Sequence, residues 1–108
     1  MIQLTAMYGQ PQDQAAFDRH YQQTHSVLAQ KIPGQKGYVT YKPAAINLQE
    51  PSPYYLIGDL FFENMAVMQA ALQSPEAQAT TEDLQNFATG GATLVAGEVQ
   101  VHHPVSFG

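Results

Sequence analysis

Hydrophobic and polar positions along the chain fall into four strand patterns and three helix patterns. IQLTAMY (Ile2–Tyr8) alternates apolar and polar residues and predicts a strand. GQPQD breaks it, and Asp13 is placed to cap a helix. From Gln14 to about Lys31, Phe17, Tyr21, Thr24, His25 and Leu28 recur at spacings of 4, 3, 1 and 3, which predicts one helix closed by IPGQKG. A second strand is expected from Tyr38 to about Ile46, followed by a loop in NLQEPSP. YYLIGDLFF (Tyr54–Phe62) is apolar on both of its sides, as for a strand buried on both faces. A helix follows in MAVMQAALQ, started by Glu63 or Asn64. Another starts at Ser74 with Pro75 at its first position, and carries Leu84 and Phe87 as far as Gly90-Gly91. Ala92–Val101 is the fourth strand and HHPVSFG a tail.

This order, β-α-β-β-α-β, predicts an α+β fold of ferredoxin-like type with a four-stranded antiparallel sheet. Right-handed crossovers put the helices on one face. The other face has no cover from the chain, yet the third strand is apolar there too. A homodimer, sheet against sheet, is therefore expected.

Composition narrows the function. With 108 residues the chain suits a single domain, 1–108, with a small core. It has no cysteine, hence neither disulfides nor a thiol nucleophile. No basic-plus-apolar leader precedes the first strand and no run approaches a membrane span, so a cytoplasmic, membrane-free protein is expected. The formal charge is -5, and the four basic residues (Arg19, Lys31, Lys36, Lys42) all lie in the first 42 positions. Such a chain repels phosphate backbones, so nucleic acid is not an expected partner.

His25 has three readings. It is a packed ring with satisfied nitrogens, a metal ligand, or a general acid/base, since imidazole changes charge near neutral pH. The metal reading is poor: His20 and His25 are five apart, not the four of a helical zinc pair. His102 and His103 are adjacent on the tail and point to opposite sides. A wheel at 100° per residue puts His25 at the edge of the apolar stripe and His20 at the opposite border, nearer solvent. Tyr21, one turn before His25, is either aromatic core or a hydroxyl that orients a substrate oxygen. Phe17 and Leu28 share that stripe and are candidate substrate contacts. Asp59 is a further candidate, either an exposed edge carboxylate or a desolvated base. No nucleotide loop and no nucleophile–base constellation is present, so no cofactor and no metal is expected.

FDRHYQQTHSVLAQKIPG resembles the opening signature of EthD-like proteins, a Phe-x3-Tyr-x3-His run closed by Pro-Gly. The stretch from Ser52 to Gly91 is similar to that family's second half, down to Ser-Pro-Glu and Asn-Phe-Ala. The resemblance covers roughly Ile2 to Val99. It implies the dimeric α+β barrel fold and a link to degradation of ethers and other small organics. Wider relatives of the fold include cyclases, dehydratases, isomerases and monooxygenases. Absence of tryptophan speaks against the haem-degrading branch. The expected function is a cofactor-free enzyme acting on an apolar carbonyl or phenolic compound. His25 would transfer the proton and Tyr21 orient the substrate. The alternative is a non-catalytic protein that binds the same kind of small molecule.

Overall fold

The computed structural model describes residues 1–47 and 49–107. Four strands, β1 (Ile2–Gly9), β2 (Gln35–Tyr41), β3 (Tyr54–Phe62) and β4 (Ala92–Glu98), form one antiparallel sheet in the order β2-β3-β1-β4. Alternation decides which side chains meet the helices. Ile2, Leu4 and Tyr8 of β1 and Leu56 and Phe62 of β3 are buried against them. The opposite face carries Thr5, Met7, Ile57, Asp59, Val39, Tyr41 and Val95, in register across the four strands.

The first helix is continuous in direction but not in winding. It comprises α1 (Gln14–His20), a π-helical turn (Tyr21–His25) and α2 (Ser26–Gln30). Asp13 caps it, accepting from the Ala16 N–H at 3.0 Å. In the wide turn the Ser26 N–H reaches the Tyr21 carbonyl, five residues back. A regular helix has 3.6 residues per turn, so each four-residue step overshoots by about 40°. A wider turn removes that overshoot. Phe17, Tyr21, His25 and Ala29, four apart, are consequently all buried. Thr24, expected on the inner stripe, is exposed, and Leu28 is only half-buried.

Two more helices complete the layer, α3 (Met65–Leu72) and α4 (Pro75–Asp83), followed by a 3-10 turn (Leu84–Asn86). Asn64 caps α3 through the Val67 N–H, and Ser74 caps α4 through the Ala77 N–H. None of these helices is long and apolar enough to cross a membrane.

Three boundaries differ from expectation. β2 begins three residues earlier than expected and stops at Tyr41, the last residue that pairs with β3 before the proline-bearing loop. β4 stops at Glu98, opposite Ile2, with one more backbone bond beyond it, from the Val99 N–H to the Met1 carbonyl at 2.8 Å. The last helix ends at Asp83 rather than running on toward the glycines. There the chain crosses the end of β1 so closely that a Cβ on Gly90 would sit 2.3 Å from the Gln10 carbonyl oxygen. Only glycine permits that crossing.

At the C-terminal end of the first helix, where the Ile32 N–H already donates to the Ala29 carbonyl at 3.2 Å, Gln35 of β2 adds a side-chain donor to the last carbonyls. Its Nε2 donates to Ala29 O at 2.8 Å and Ile32 O at 2.9 Å. Replacing Gln35 with leucine should lower stability by about 1 kcal/mol, since the Ile32 carbonyl loses that donor while the Ala29 carbonyl keeps the Ile32 N–H. Urea denaturation followed by circular dichroism measures this, and an unchanged midpoint would contradict it.

Candidate active site

The site is organised by one carboxylate. Asp83 ends α4, where the helix dipole offers no help to a negative charge. Its oxygens accept from His20 Nε2 at 2.8 Å, His25 Nδ1 at 3.0 Å and Asn86 Nδ2 at 3.0 Å. Burial works to raise the Asp83 carboxyl. The bonds from Asn86, His20 and His25 outweigh it and hold the group below the usual carboxylate range.

An ionised Asp83 only accepts, so His25 Nδ1 carries the hydrogen between them. Nε2 therefore keeps a lone pair, and the Tyr8 hydroxyl donates to it at 3.2 Å. Burial is the main influence on the His25 ring and lowers its pKa. Asp83 partly offsets this, and His20 adds to the lowering. Neutral imidazole is thus the favoured form. Burial, reinforced by Tyr38 and Asp83, pushes the Tyr8 phenol well above its ordinary value, so Tyr8 remains a donor.

A cavity of about 70 Å³ lies between sheet and helices. Its polar wall includes Tyr8, Tyr21, Tyr38 and His25 beside Thr80 and Thr81, and its apolar wall includes Leu4, Ile32, Leu60 and Leu94. The hydroxyls of Tyr21 and Tyr38 are hydrogen-bonded to each other, and burial raises both phenols. Gly58 lies under this pair: a Cβ there would come within 3.1 Å of the Tyr21 hydroxyl. Among the described residues, no lysine or arginine lines the cavity. Lys42 is engaged elsewhere, donating to Asp18 at 2.9 Å and to the Tyr55 hydroxyl at 3.1 Å.

Phe87 seals the cluster from behind. Its ring centroid is 4.6 Å from that of His25 and 5.1 Å from that of His20, on which it stacks. It also packs against Phe17 at 5.1 Å and Tyr8 at 5.6 Å.

Residues 9–91 match the model of the EthD domain. The chain belongs to the EthD family. It is 40% identical over 95 residues to an uncharacterised 11.0 kDa protein of the thcB-thcC intergenic region in Rhodococcus erythropolis, covering 88% of this chain and 91% of that one. Its fold is similar to the crystal structure of an EthD-family protein from Bacillus halodurans, with 33% identity and a TM-score of 0.86 over 93% of this chain and 99% of the other. A hydroxynitrile lyase from Passiflora edulis shares the fold at 13% identity, with a TM-score of 0.71 over 95% and 97% of the two chains.

In this EthD chain the residues singled out from sequence divide into two groups. His25 and Tyr21 meet at the cavity. Phe17 does not line it. Its ring lies parallel to that of Tyr21 at 5.9 Å, one layer behind. Leu28 is displaced from the wall by the π turn, and Ala29 takes its place. Asp59 points from the opposite face of the sheet, away from the cavity. It is no edge carboxylate, because β3 is an inner strand. It is buried and accepts from Gln3 Nε2 at 3.0 Å and Thr5 Oγ1 at 2.6 Å. His20, expected nearer solvent, turns in to Asp83.

Sequence reasoning missed Asp83 and Tyr8, and reads Tyr38 as a strand former first and a pocket or dimer-face residue second. Asp83 left one legible signal, an acid in the stretch TTEDLQN where a helix was expected to run toward its C-terminal end, the wrong pole for it. Tyr8 shares the parity of Ile2 and Leu4, which marks it as inward-facing.

The lowered pKa of His25 has a consequence for stability. The unfolded chain binds the proton more readily than the folded one, so His25 supports the fold fully above its unfolded value of 6.5. That support is lost as pH falls through the lowered folded value. Wild-type stability should therefore decline relative to His25→Gln on going from pH 7 to pH 5, as read by urea midpoints at both pH values. Parallel behaviour of the two proteins would overturn the assignment.

Proposed function

We infer that this EthD protein is an enzyme of proton transfer on small, uncharged, mostly apolar molecules bearing a carbonyl or phenolic oxygen. One observation carries the reading: a buried neutral imidazole, held by an ionised Asp83, presents its Nε2 lone pair to a cavity through the Tyr8 hydroxyl. A base needs an accepting nitrogen, a fixed tautomer and a counter-charge for the cation that forms. His25, with Asp83 behind it, supplies all three.

The substrate's acidic proton passes to the Tyr8 oxygen as the Tyr8 proton moves to Nε2. The substrate oxygen, gaining negative charge, is met by the Tyr21–Tyr38 hydroxyl pair in a small, largely apolar cavity. Return of the proton to another atom gives isomerisation. Loss of a leaving group gives a lyase reaction. The chemistry needs only groups of this chain. A lyase on the same fold, from Passiflora edulis, is compatible with this class. A second reading, a carrier without turnover, is favoured by the fact that both His25 nitrogens already have partners inside the protein.

Deuterium uptake separates the two. Small neutral ketones and phenols are incubated with the protein in deuterated buffer near neutral pH and followed by NMR. Wild type should accelerate exchange at the acidic position of at least one of them, and His25→Gln should reduce that acceleration by roughly 10²–10⁴-fold. Equal rates with both proteins would refute the enzyme. Binding without exchange would establish the carrier.

The reading extends to assembly as a homodimer, sheet to sheet. On the face away from the helices Val39, Tyr41 and Val95 are 41%, 56% and 50% exposed, beside Ile57 and Phe61. Such a contiguous apolar surface favours a partner. Asp59 in its midst is already hydrogen-bonded to Gln3 and Thr5, which lessens the penalty of covering it. Light scattering at micromolar protein should give twice the chain mass of 11.8 kDa, and the monomer mass would refute it.

A further inference from the structure

The Tyr21–Tyr38 hydroxyl pair has a second side. Inward it bounds the cavity of about 70 Å³, and outward it bounds a groove of about 270 Å³ between the first helix and β2. Gln22, Ser26 and Gln30 form the helix wall of the groove, and Thr40 continues the β2 wall beyond Tyr38. These three helix residues follow Tyr21, His25 and Ala29 by one position each, so the π turn that aligns the buried row aligns them as well. β2 is an edge strand, which leaves the groove open to solvent.

Side chains alone part the two spaces. Thr40, Gly58 and Ala6 are paired side by side across β2, β3 and β1. Ala6 and Gly58 line the cavity and Thr40 lines the groove, so the sheet is a common floor to both. Over Gly58 stands the Tyr21 hydroxyl, 3.1 Å from where a Cβ would lie. The partition is two phenol tips joined by one hydrogen bond. Two hydroxyls carry two hydrogens, and that bond uses one of them. Among the described residues neither hydroxyl has another partner, so one O–H is left to give.

We propose that the substrate is bipartite: its carbonyl or phenolic end enters the cavity, an uncharged hydrogen-bonding end (a hydroxyl, ether or amide) stays in the groove, and the Tyr21–Tyr38 pair parts to admit it. This deepens, and rests on, the reading of the cavity as the place where that molecule binds. Size is the first support. An apolar cavity of about 150 Å³ takes a benzene ring, and this one is about half as large. A ligand of more than a few heavy atoms must extend past the tyrosines. The lining of the groove is the second. Among the described residues no charged side chain lines it, and the Gln22 and Gln30 amides and the Thr40 hydroxyl have no partner there. Such groups both donate and accept, which suits a neutral polar group. The nearest charges, Asp18 and Lys42 in the adjoining pocket, are paired with each other at 2.9 Å.

The chain has no cysteine, so Ala6→Cys gives the full-length protein one thiol, on the cavity floor. Strands lie about 4.8 Å apart, so the groove at Thr40 is about 10 Å away, within reach of a hexyl chain. The probes are 6-hydroxyhexyl and n-heptyl methanethiosulfonate, and labelling rates are read by mass spectrometry. Filling the groove with Ser26→Trp, or with Gln30→Trp, should slow both reagents about tenfold; Tyr38→Phe, which keeps the ring but removes the bond to Tyr21, should speed both about tenfold. In the hydroxyl-ended adduct the side-chain amide signals of Gln22 or Gln30 should shift in NMR spectra relative to the heptyl adduct. Unchanged rates in folded Ser26→Trp and Gln30→Trp would overturn the proposal. So would slowing by Leu94→Trp instead, which puts the mouth on the β4 side, or an unchanged rate in Tyr38→Phe, or amide signals indifferent to the hydroxyl. Should Ala6→Cys not fold, Leu60→Cys supplies a thiol from the same cavity wall. These readings need no turnover. Absence of deuterium exchange would sink the enzyme and leave the bipartite site to a carrier, whereas a failed labelling pattern sinks the bipartite site and leaves the exchange result intact.

Discussion

A buried carboxylate must be surrounded by donors or it will not stay ionised. Asp83 sits at the end of α4, with the helix dipole against it, and three side chains supply the compensation. Two of those come from the first helix and one from the 3-10 turn. The carboxylate therefore ties the two helical segments together over the sheet. It also fixes the His25 tautomer, and through it the direction of the Tyr8 hydroxyl. Withdraw the charge and the polar end of the cavity loses its order.

The π turn is the backbone counterpart of that constraint. His20 and His25 are five residues apart and both reach Asp83. Their rings approach it from different sides, His20 through Nε2 and His25 through Nδ1. π turns are rare and concentrate at functional sites. Here the turn aligns Tyr21 and His25 on the cavity, at the expense of Thr24 and Leu28.

The fold was legible because each element is marked twice, by its period and by its punctuation. Asp13, Asn64 and Ser74 all cap the helices that their positions announced. The two-sided apolar character of β3 fits the burial of Leu56 on one of its faces and Ile57 on the other. The candidate site was less legible. A wheel of constant pitch cannot show a widened turn, so His25 was placed at the edge of a stripe whose centre it occupies, and Leu28 was given the place of Ala29. Asp59 and Asp83 look alike in sequence. Which of them faces the histidines depends on strand parity for one and on helix docking for the other. Tyr8 and Tyr38 read as ordinary strand formers, because spacing says nothing of where two hydroxyls will meet.

Phe87 has a significance beyond filling space. Its ring covers both imidazoles and backs onto Phe17 and Tyr8, which keeps water from the His25 side of the carboxylate, where both side chains are buried. Mobile ions are kept out with it. Charges in such a setting are screened far less than charges in solvent, whose influence fades within about 10 Å at ordinary ionic strength. The exposed Lys42–Asp18 pair on the rim belongs to the second kind. The His25–Asp83 contact belongs to the first, which makes the hold of the carboxylate on that ring nearly indifferent to the salinity of the surrounding medium.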